Sequence, residues 1–398
     1  MNRPIYNNDL VILAAARITR SVAAGMINVA FPYFVLTEFH YGALVIGLIY
    51  VAATMATAVV SFFVGISADI WGKRGTLITA SLFLPISALM VYLSHGLWLI
   101  VPAAMLGGYS ATGSLAGGGI GGVVQPIQSA VLAGLVKGHE RTRYFALFTF
   151  GAGVTAAFGA LLTKVFNVRD IFLAAAIISA FGIPLLWKVR VDNVKGKITR
   201  LKTGKIIGKF TLTGMLNGFA QGLVIPFLIP FFVLFYHIPK SEMAEFAFAS
   251  GLLGSFALLA APALERNFGF LNSVLLTRGV GLVLFVLFPI IHFLPLAVAI
   301  YILAPSLRVA ALPIQQSELT RRVDEDEMGR ALGINQVARL AASSAASGIS
   351  GHMLENSLFE LPFFLYGLVM AANLLLYVKF FGVKANRKSG AKPQSDEK

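Results

Sequence analysis

This chain places its arginines where charge is hardest to hold. Arg17, Arg20, Arg278, Arg308 and Arg339 lie inside long apolar runs, and none of the 18 acidic residues sits at comparable depth. Asp9, Asp69, Glu265 and Glu318 fall near one end of their runs, and Glu38 and Glu355 near the other. A guanidinium at the centre of an apolar helix costs about 2.5 to 3.5 kcal/mol even on insertion scales, so such groups must face a wet cavity or meet anions. The planar fork of arginine suits carboxylate or phosphate. Two of the five have polar company at helical spacing: Arg17 with Ser21 and Asn28, and Arg339 between Asn335 and Ser343. Asn217 and Gln221 stand four residues apart on a further run, and Gln128 and Gln315 each close a PIQ triplet. The candidate lining of a positive, polar cavity for a small anion is therefore Arg17, Arg20, Asn28, Gln128, Asn217, Gln221, Arg308, Gln315, Asn335 and Arg339. Arg278 is weaker, being about two turns from the start of its run and able to snorkel. The competing reading has these arginines bonding backbone carbonyls or near-terminal acids as structural glue.

The elements that must position these residues are helices in lipid. The chain has 398 residues, 57% of them hydrophobic and only 13% charged, with more apolar surface than a soluble core absorbs. A spanning helix needs about 20 apolar residues to cross about 30 Å of hydrocarbon. Twelve runs meet that need, the first near residues 9 to 38 and the last near 361 to 381. The fourth, 98 to 135, is long and contains GGGIGG at Gly117 to Gly122; it is expected to make one crossing, bent or loosened at the glycines. The one long polar interruption begins at Lys188 and divides the runs six and six. The expected organisation is a six-helix bundle over 1–187, a basic linker over 188–206, a second six-helix bundle over 207–381 and a disordered tail over 382–398.

Charge gives an orientation. With both termini on one face, that face carries nearly every basic loop, while the other holds only Lys164, Arg169 and Lys240. The positive-inside rule makes the first face cytoplasmic, with both termini there, in a multi-pass protein of the cell membrane. The net charge of +14 then reflects this bias and attraction to anionic lipid, and needs no nucleic acid to explain it. The first apolar run is too long for a cleavable signal peptide and has no small-residue cleavage pattern after it.

Little supports an enzyme. The absence of cysteine excludes disulfides, thiolate metal sites and a cysteine nucleophile. The six histidines are scattered with no HExxH pairing, and there is no P-loop, so neither a metal site, nor another cofactor, nor an ATP-driven pump is indicated.

The chain also repeats itself. FPYFVL at Phe31 to Leu36 returns as IPFFVL at Ile229 to Leu234, 198 positions on, and PIQ at Pro126 to Gln128 returns at Pro313 to Gln315, 187 positions on. HERTR, with Glu140 and Arg143, is echoed by DEMGR, with Glu327 and Arg330, at the same 187-residue offset. The first half is thus about 11 residues longer before its fifth run, and the glycine-rich segment can hold the excess. Two like-oriented six-helix halves suit rocking about a shared site.

Between the second and third runs stands GISADIWGKRG, Gly65 to Gly75. Gly65 and Gly72 would permit a tight turn, Asp69 could face a helix N-terminus, and Lys73 and Arg74 would anchor the cytoplasmic face. The motif resembles the signature of the major facilitator superfamily, which the handing of substrate between two six-helix bundles would fit. In that family the matching Asp helps latch the halves on the cytoplasmic side, here near Gly329 and Arg330. The chain departs from the family pattern in having Ile70 where a basic residue often follows the Asp. The second-half copy, APALERNFG over Ala261 to Gly269, is degenerate.

The resemblance implies a secondary active transporter working by alternating access, a monomer in the bilayer with a small-molecule substrate and, in some relatives, proton coupling. The deep arginines favour a small organic anion, a carboxylate or phosphate ester. The alternative is a polyspecific drug/proton antiporter. Against it, the fourth run has no Arg, and the fifth, GAGVTAAFGALL from Gly151, has glycines but no proline. A sugar symporter or a non-transport scaffold is less favoured.

Overall fold

The computed structural model of the chain describes residues 7–70, 72–109, 120–136, 141–189, 203–323 and 328–382. Among these residues every regular element is helical. They are α1 (Asn7–Tyr33), α2 (Ala43–Ile70), α3 (Lys73–Tyr92), α4 (Leu97–Gly107), α5 (Gln125–Leu135), α6 (Arg141–Leu162), α7 (Val168–Phe181) and α8 (Ile183–Leu186). The rest are α9 (Gly204–Val224), α10 (Leu228–Leu234), α11 (Lys240–Leu287), α12 (Leu294–Arg322), α13 (Met328–Glu355) and α14 (Leu361–Phe381). Nine described helical segments are long and apolar enough to cross a membrane, and the protein is a multi-pass membrane protein. One of the nine, Lys240–Ile290, takes in two of the expected runs. It follows one helical path but turns a corner at Gly269 (φ 73°, ψ 172°). Helix α13 falls outside the nine; Asn335, Gln336, Arg339 and four serines from Ser343 to Ser350 lower its hydropathy.

The fourth run, expected to make one crossing bent or loosened at the glycines, is interrupted there: the described residues form α4 and α5, and α4 ends at Gly108 in a left-handed conformation (φ 60°). On the far side of residues 110–119, which lie outside the described residues, the Gly121 amide donates to the Gly107 carbonyl at 2.8 Å. In an unbroken helix residue 111 would fill that role, so the excursion inserts ten residues and the path of the helix then resumes. Both pieces pack on α2 and α3. Of GGGIGG, Gly117 to Gly119 lie outside the described residues.

The repeat is visible in backbone conformation and in packing. His40 and His237 both take positive φ (54° and 55°) and stand 197 positions apart, as do Gly72 and Gly269 (φ 83° and 73°). A Cβ on Gly25 of α1 would lie 1.9 Å from the Ala156 carbonyl oxygen of α6, and one on Gly222 of α9 would lie 2.2 Å from that of Ser343 of α13. Gly25 to Gly222 is again 197 positions, whereas Ala156 to Ser343 is 187. The ten residues lost between them equal the excursion between α4 and α5. A smaller mismatch is resolved similarly: FPYFVL repeats at 198 but His40 at 197, and a π turn over Phe34–Glu38 absorbs the extra residue.

The two FPYFVL-type segments anchor the aromatic core. Phe31 packs edge-on against Tyr109 at 5.0 Å, and Phe34 against Phe172 at 5.0 Å. In the second half Phe231 packs against Phe288 and Phe363 at 5.0 and 5.3 Å. One buried cluster joins Val29, Tyr33 and Ala160 to Phe231, Phe232 and Phe285, so the halves share core at this end. At the other end the cores are separate, one around Leu13 and Val131, the other around Ile314 and Tyr377.

Candidate functional site

Between the halves lies a cavity of about 90 Å³. Its walls come from α1 (Asn28, Pro32), α2 (Tyr50), α11 (Ser250) and α12 (Tyr301, Ser306, Arg308), with the short turn Ile225–Phe227 between them. That turn exists because Pro226 cannot donate a helical hydrogen bond, and it separates α9 from α10 where the wall must bend. The space accommodates several water-sized groups.

Arg308 is the one deep arginine of the five on this wall. It is buried, and its guanidinium donates to Gln221 Oε1 at 2.9 Å. Gln221 in turn donates to Asn217 Oδ1 at 2.9 Å, so two amides on α9 hold the arginine from behind. Its Nε has no partner among the described residues. Neutral polar groups complete the wall. The Ser250 and Ser306 hydroxyls are taken by the backbone carbonyls of Tyr301 (3.2 Å) and Ile302 (2.7 Å). The Tyr50 and Tyr301 hydroxyls and the Asn28 amide have no hydrogen-bond partner among the described residues. None of the lining residues is acidic.

The other expected lining residues have different surroundings, which corrects the picture of one shared cavity. Arg20 on α1 donates to Gln128 on α5 at 2.6 Å, beside a separate void of about 10 Å³ inside the first half. Arg17, one turn earlier, is buried, and its Nε has no partner among the described residues. Arg339 donates to Gln336 one turn back on α13 at 2.9 Å. Asn335 donates to the Phe210 carbonyl at 2.7 Å and fastens α13 to α9. The Gln315 amide nitrogen is buried without a partner among the described residues. Arg278 lies over the Tyr377 ring at 5.3 Å, and Asn373, with its amide turned to suit both neighbours, accepts from it at 3.1 Å. The ion pairs among the described residues involve none of these five arginines. Glu318 is engaged by Arg322 at 2.5 Å.

Sequence reasoning missed Tyr50, Tyr301, Ser250 and Ser306. Each sits in an apolar run where a single aromatic or serine reads as core filler. The faint available signal is that Tyr301 and Arg308 stand seven residues apart, two helical turns on one face.

The GISADIWGKRG motif is partly described. Gly72 makes the turn from α2 to α3, while Gly65 lies inside α2 and takes no part in it, contrary to expectation. The Gly72 carbonyl accepts from the Thr76 amide at 3.2 Å and hydroxyl at 3.1 Å, which closes the first turn of α3. Lys73 is half-buried and Arg74 exposed. Trp71 and the side chains of Asp69, Gly329 and Arg330 lie outside the described residues, as do Lys137 to Glu140 and the linker from Arg190 to Lys202.

Polar contacts tie the halves together at the end where α1 finishes. The Tyr33 hydroxyl donates to the Ile238 carbonyl at 2.6 Å, and the Leu44 amide, in the first turn of α2, donates to the Glu355 carboxylate at 3.1 Å. Lys164 pairs with Glu245, and Lys240 donates to the Phe166 carbonyl. Among the described residues no group of three or more His, Asp or Glu is placed to hold a metal ion.

Comparison with known proteins accounts for the architecture. The sequence matches the family model described as Major Facilitator Superfamily over residues 13–347. No curated protein sequence matches it. Among solved structures, the fold is similar to that of a point mutant of the nucleoside transporter NupG, with a TM-score of 0.78 at 12% identity, covering 94% of this chain and 100% of the other. It is also similar to a bacterial homolog of the human lysosomal transporter Spinster in an inward-facing, occupied conformation (TM-score 0.75, 14% identity, 99% and 100% covered). A D-xylose-proton symporter is a third (0.74, 15% identity, 95% and 98% covered). At these identities the likeness is one of fold.

Proposed function

Because the chain belongs to the Major Facilitator Superfamily, we propose that it is a secondary active transporter that moves a small organic anion by alternating access through the cavity at Arg308. In this reading twelve crossings form two six-helix bundles, 1–187 and 207–381, joined by a cytoplasmic linker over 188–206 and followed by a tail over 382–398. Both termini are cytoplasmic, and the protein works as a monomer in the cell membrane. The contacts around Tyr33, Leu44 and Lys164 then close the outer end, and GISADIWGKRG lies at the inner gate, with Asp69 as its latch.

The observation that carries the anion reading is the cavity itself. A buried arginine on its wall is oriented by two amides and has no acid within pairing distance among the described residues. A buried guanidinium without a counterion is costly, and an anionic substrate supplies the missing partner. Arg17, Arg20, Gln128, Gln315, Asn335 and Arg339 act in this scheme as supports of the helices around the site and as contributors to its positive potential.

The test is the thermal stability of the purified protein against carboxylates, phosphate esters, neutral sugars and lipophilic cations. A ligand at about 100 times its Kd stabilises by about 2.7 kcal/mol. Stabilisation by anions alone, lost in Arg308→Gln, is expected. Stabilisation by lipophilic cations, retained in Arg308→Gln, would refute the anion site and favour the drug/proton antiporter.

A further inference from the structure

The cavity holds more than a charge preference, because its two walls differ. Arg308 stands on the second-half wall and is the cavity's one formal charge. The first-half wall offers Asn28 and Tyr50, both neutral, both able to donate and accept, and both without a partner among the described residues. Tyr301 adds a second hydroxyl without a partner among the described residues, whereas Ser250 and Ser306 are already committed to backbone carbonyls. The remaining deep arginines are off the wall: Arg20 on Gln128, Arg339 on Gln336, Arg278 on Tyr377 and Asn373.

We propose that the substrate is a small hydroxylated monoanion, a hydroxy monocarboxylate, with its carboxylate at Arg308 and its hydroxyl groups on Asn28 and Tyr50 across the interface. This rests on the reading of the cavity as the transport site. A second anionic group placed against the first-half wall would meet only the neutral Asn28 and Tyr50 there and be desolvated without a cation. An anion lacking hydroxyls would leave the Asn28 amide and two phenols unpaired when the site closes. Sites built around hydrogen-bonding groups reject such analogues strongly. The arrangement also gives the substrate a mechanical role: its charge is held by one half and its hydroxyls by the other, so a full set of bonds forms only when both halves close on it. A molecule satisfying Arg308 alone would bind one half and leave the other free.

The experiment measures apparent Kd from thermal shifts of the purified full chain. Lactate, glycerate and gluconate are compared with propionate and hexanoate, which lack the hydroxyls, and with dianionic succinate. Hydroxy acids of at least one chain length are expected to bind ten-fold or more tighter than the plain acid of that length and than succinate. Tyr50→Phe and Asn28→Ala should compress that ratio towards one, weakening the hydroxy acids and relieving the unpaired groups that penalise the plain acids, with the stability of each ligand-free variant recorded as a folding control. Plain acids binding as tightly as hydroxy acids, or succinate binding tighter, would overturn this inference while leaving an anion transporter in place. Binding by none of these acids, with phosphate esters binding at Arg308, would likewise overturn it alone. Failure of every anion to bind would remove the proposed function itself.

Discussion

Gly47 on α2 and Gly351 on α13 meet across the two halves, and replacing Gly47 by alanine separates conformational from structural stability. A Cβ on Gly47 would lie 2.8 Å from Gly351 Cα and 3.1 Å from the Ser347 carbonyl oxygen. Carbon atoms sit about 3.5 to 4.0 Å apart at best contact, so the two backbones must part by about 0.7 to 1.2 Å. No flexible side chain can move instead, since the atoms met are backbone. The bonds on either side, Glu355 with the Leu44 amide at 3.1 Å and the Ser344 hydroxyl with the Val51 carbonyl at 2.9 Å, would stretch beyond hydrogen-bond range. Overpacking of this kind costs about 1 to 3 kcal/mol. It falls on the conformation in which α2 and α13 touch, so the ratio of closed to open at this end should drop by roughly 5- to 150-fold. The chain has no cysteine, so Lys164→Cys with Glu245→Cys, at a pair in contact across the halves, gives a clean crosslinking reporter. Gly47→Ala is expected to slow that crosslink. Gly25→Ala, which meets Ala156 within one half at 1.9 Å, should instead lower the melting temperature of the whole bundle. If Gly47→Ala crosslinks as readily as its parent and only melts earlier, the contact is not a moving one and the reasoning fails.

Gly72→Ala and Gly269→Ala should each destabilise the protein by about 1 to 3 kcal/mol, because both residues occupy backbone conformations open almost solely to glycine. Gly269 has no atom within 4 Å of a Cβ, so a melting temperature unchanged in its variant would show that the corner there simply unwinds. Glu355→Gln keeps an acceptor for the Leu44 amide but removes the charge at the start of α2, worth about 0.3 to 1 kcal/mol; the same crosslink should weaken about two- to five-fold, and no change would remove the carboxylate from the closure at this end. A double-mutant cycle of Arg20→Gln with Gln128→Ala should give a coupling of about 1.5 to 3 kcal/mol in melting experiments, and zero coupling would mean that the 2.6 Å bond contributes nothing. Asp69→Asn is expected to slow turnover with little effect on equilibrium binding, and an unchanged rate would take Asp69 out of the gate.

The membrane class was legible from hydropathy alone, and the repeat from short echoes such as FPYFVL and IPFFVL, because both are properties of residue order. The excursion after Gly107 was legible as a length mismatch but not as a shape. Glycine lowers helix propensity without saying whether the chain bends or leaves, and that depends on the Gly121 amide finding the Gly107 carbonyl. The site was less legible for a related reason. Periodicity places Arg17, Ser21 and Asn28 on one face of a helix, but in a bundle each helix has several neighbours. Asn28 reaches the interface between halves, whereas Arg17, three turns away, is buried with its Nε unpartnered. Tyr50 and Tyr301 were invisible because an aromatic in an apolar run carries the same sequence signal whether its hydroxyl meets a cavity or a carbonyl.

The repeat also explains why five arginines read alike when one stands on the cavity wall. At the offsets of 197 before the excursion and 187 after it, Arg20 corresponds to Asn217, Gln128 to Gln315 and Arg308 to Gly121. Each half therefore carries one arginine bonded to an amide across the same pair of helices, but from opposite members of the pair: α1 to α5 in the first half, α12 to α9 in the second. Gly121 takes a positive φ (74°) that favours glycine, and a Cβ there would press on the Leu84 side chain at 3.3 Å while lying at ordinary contact distance, 3.7 Å, from Arg20 Cδ. Two arginines facing each other across one cavity would hold like charges together whenever substrate is absent. With one charge turned inside its own half and the other presented to the interface, the cavity wall carries a single arginine, and under the proposed function closure of the first half onto an anion would depend on neutral hydrogen bonds from Asn28 and Tyr50.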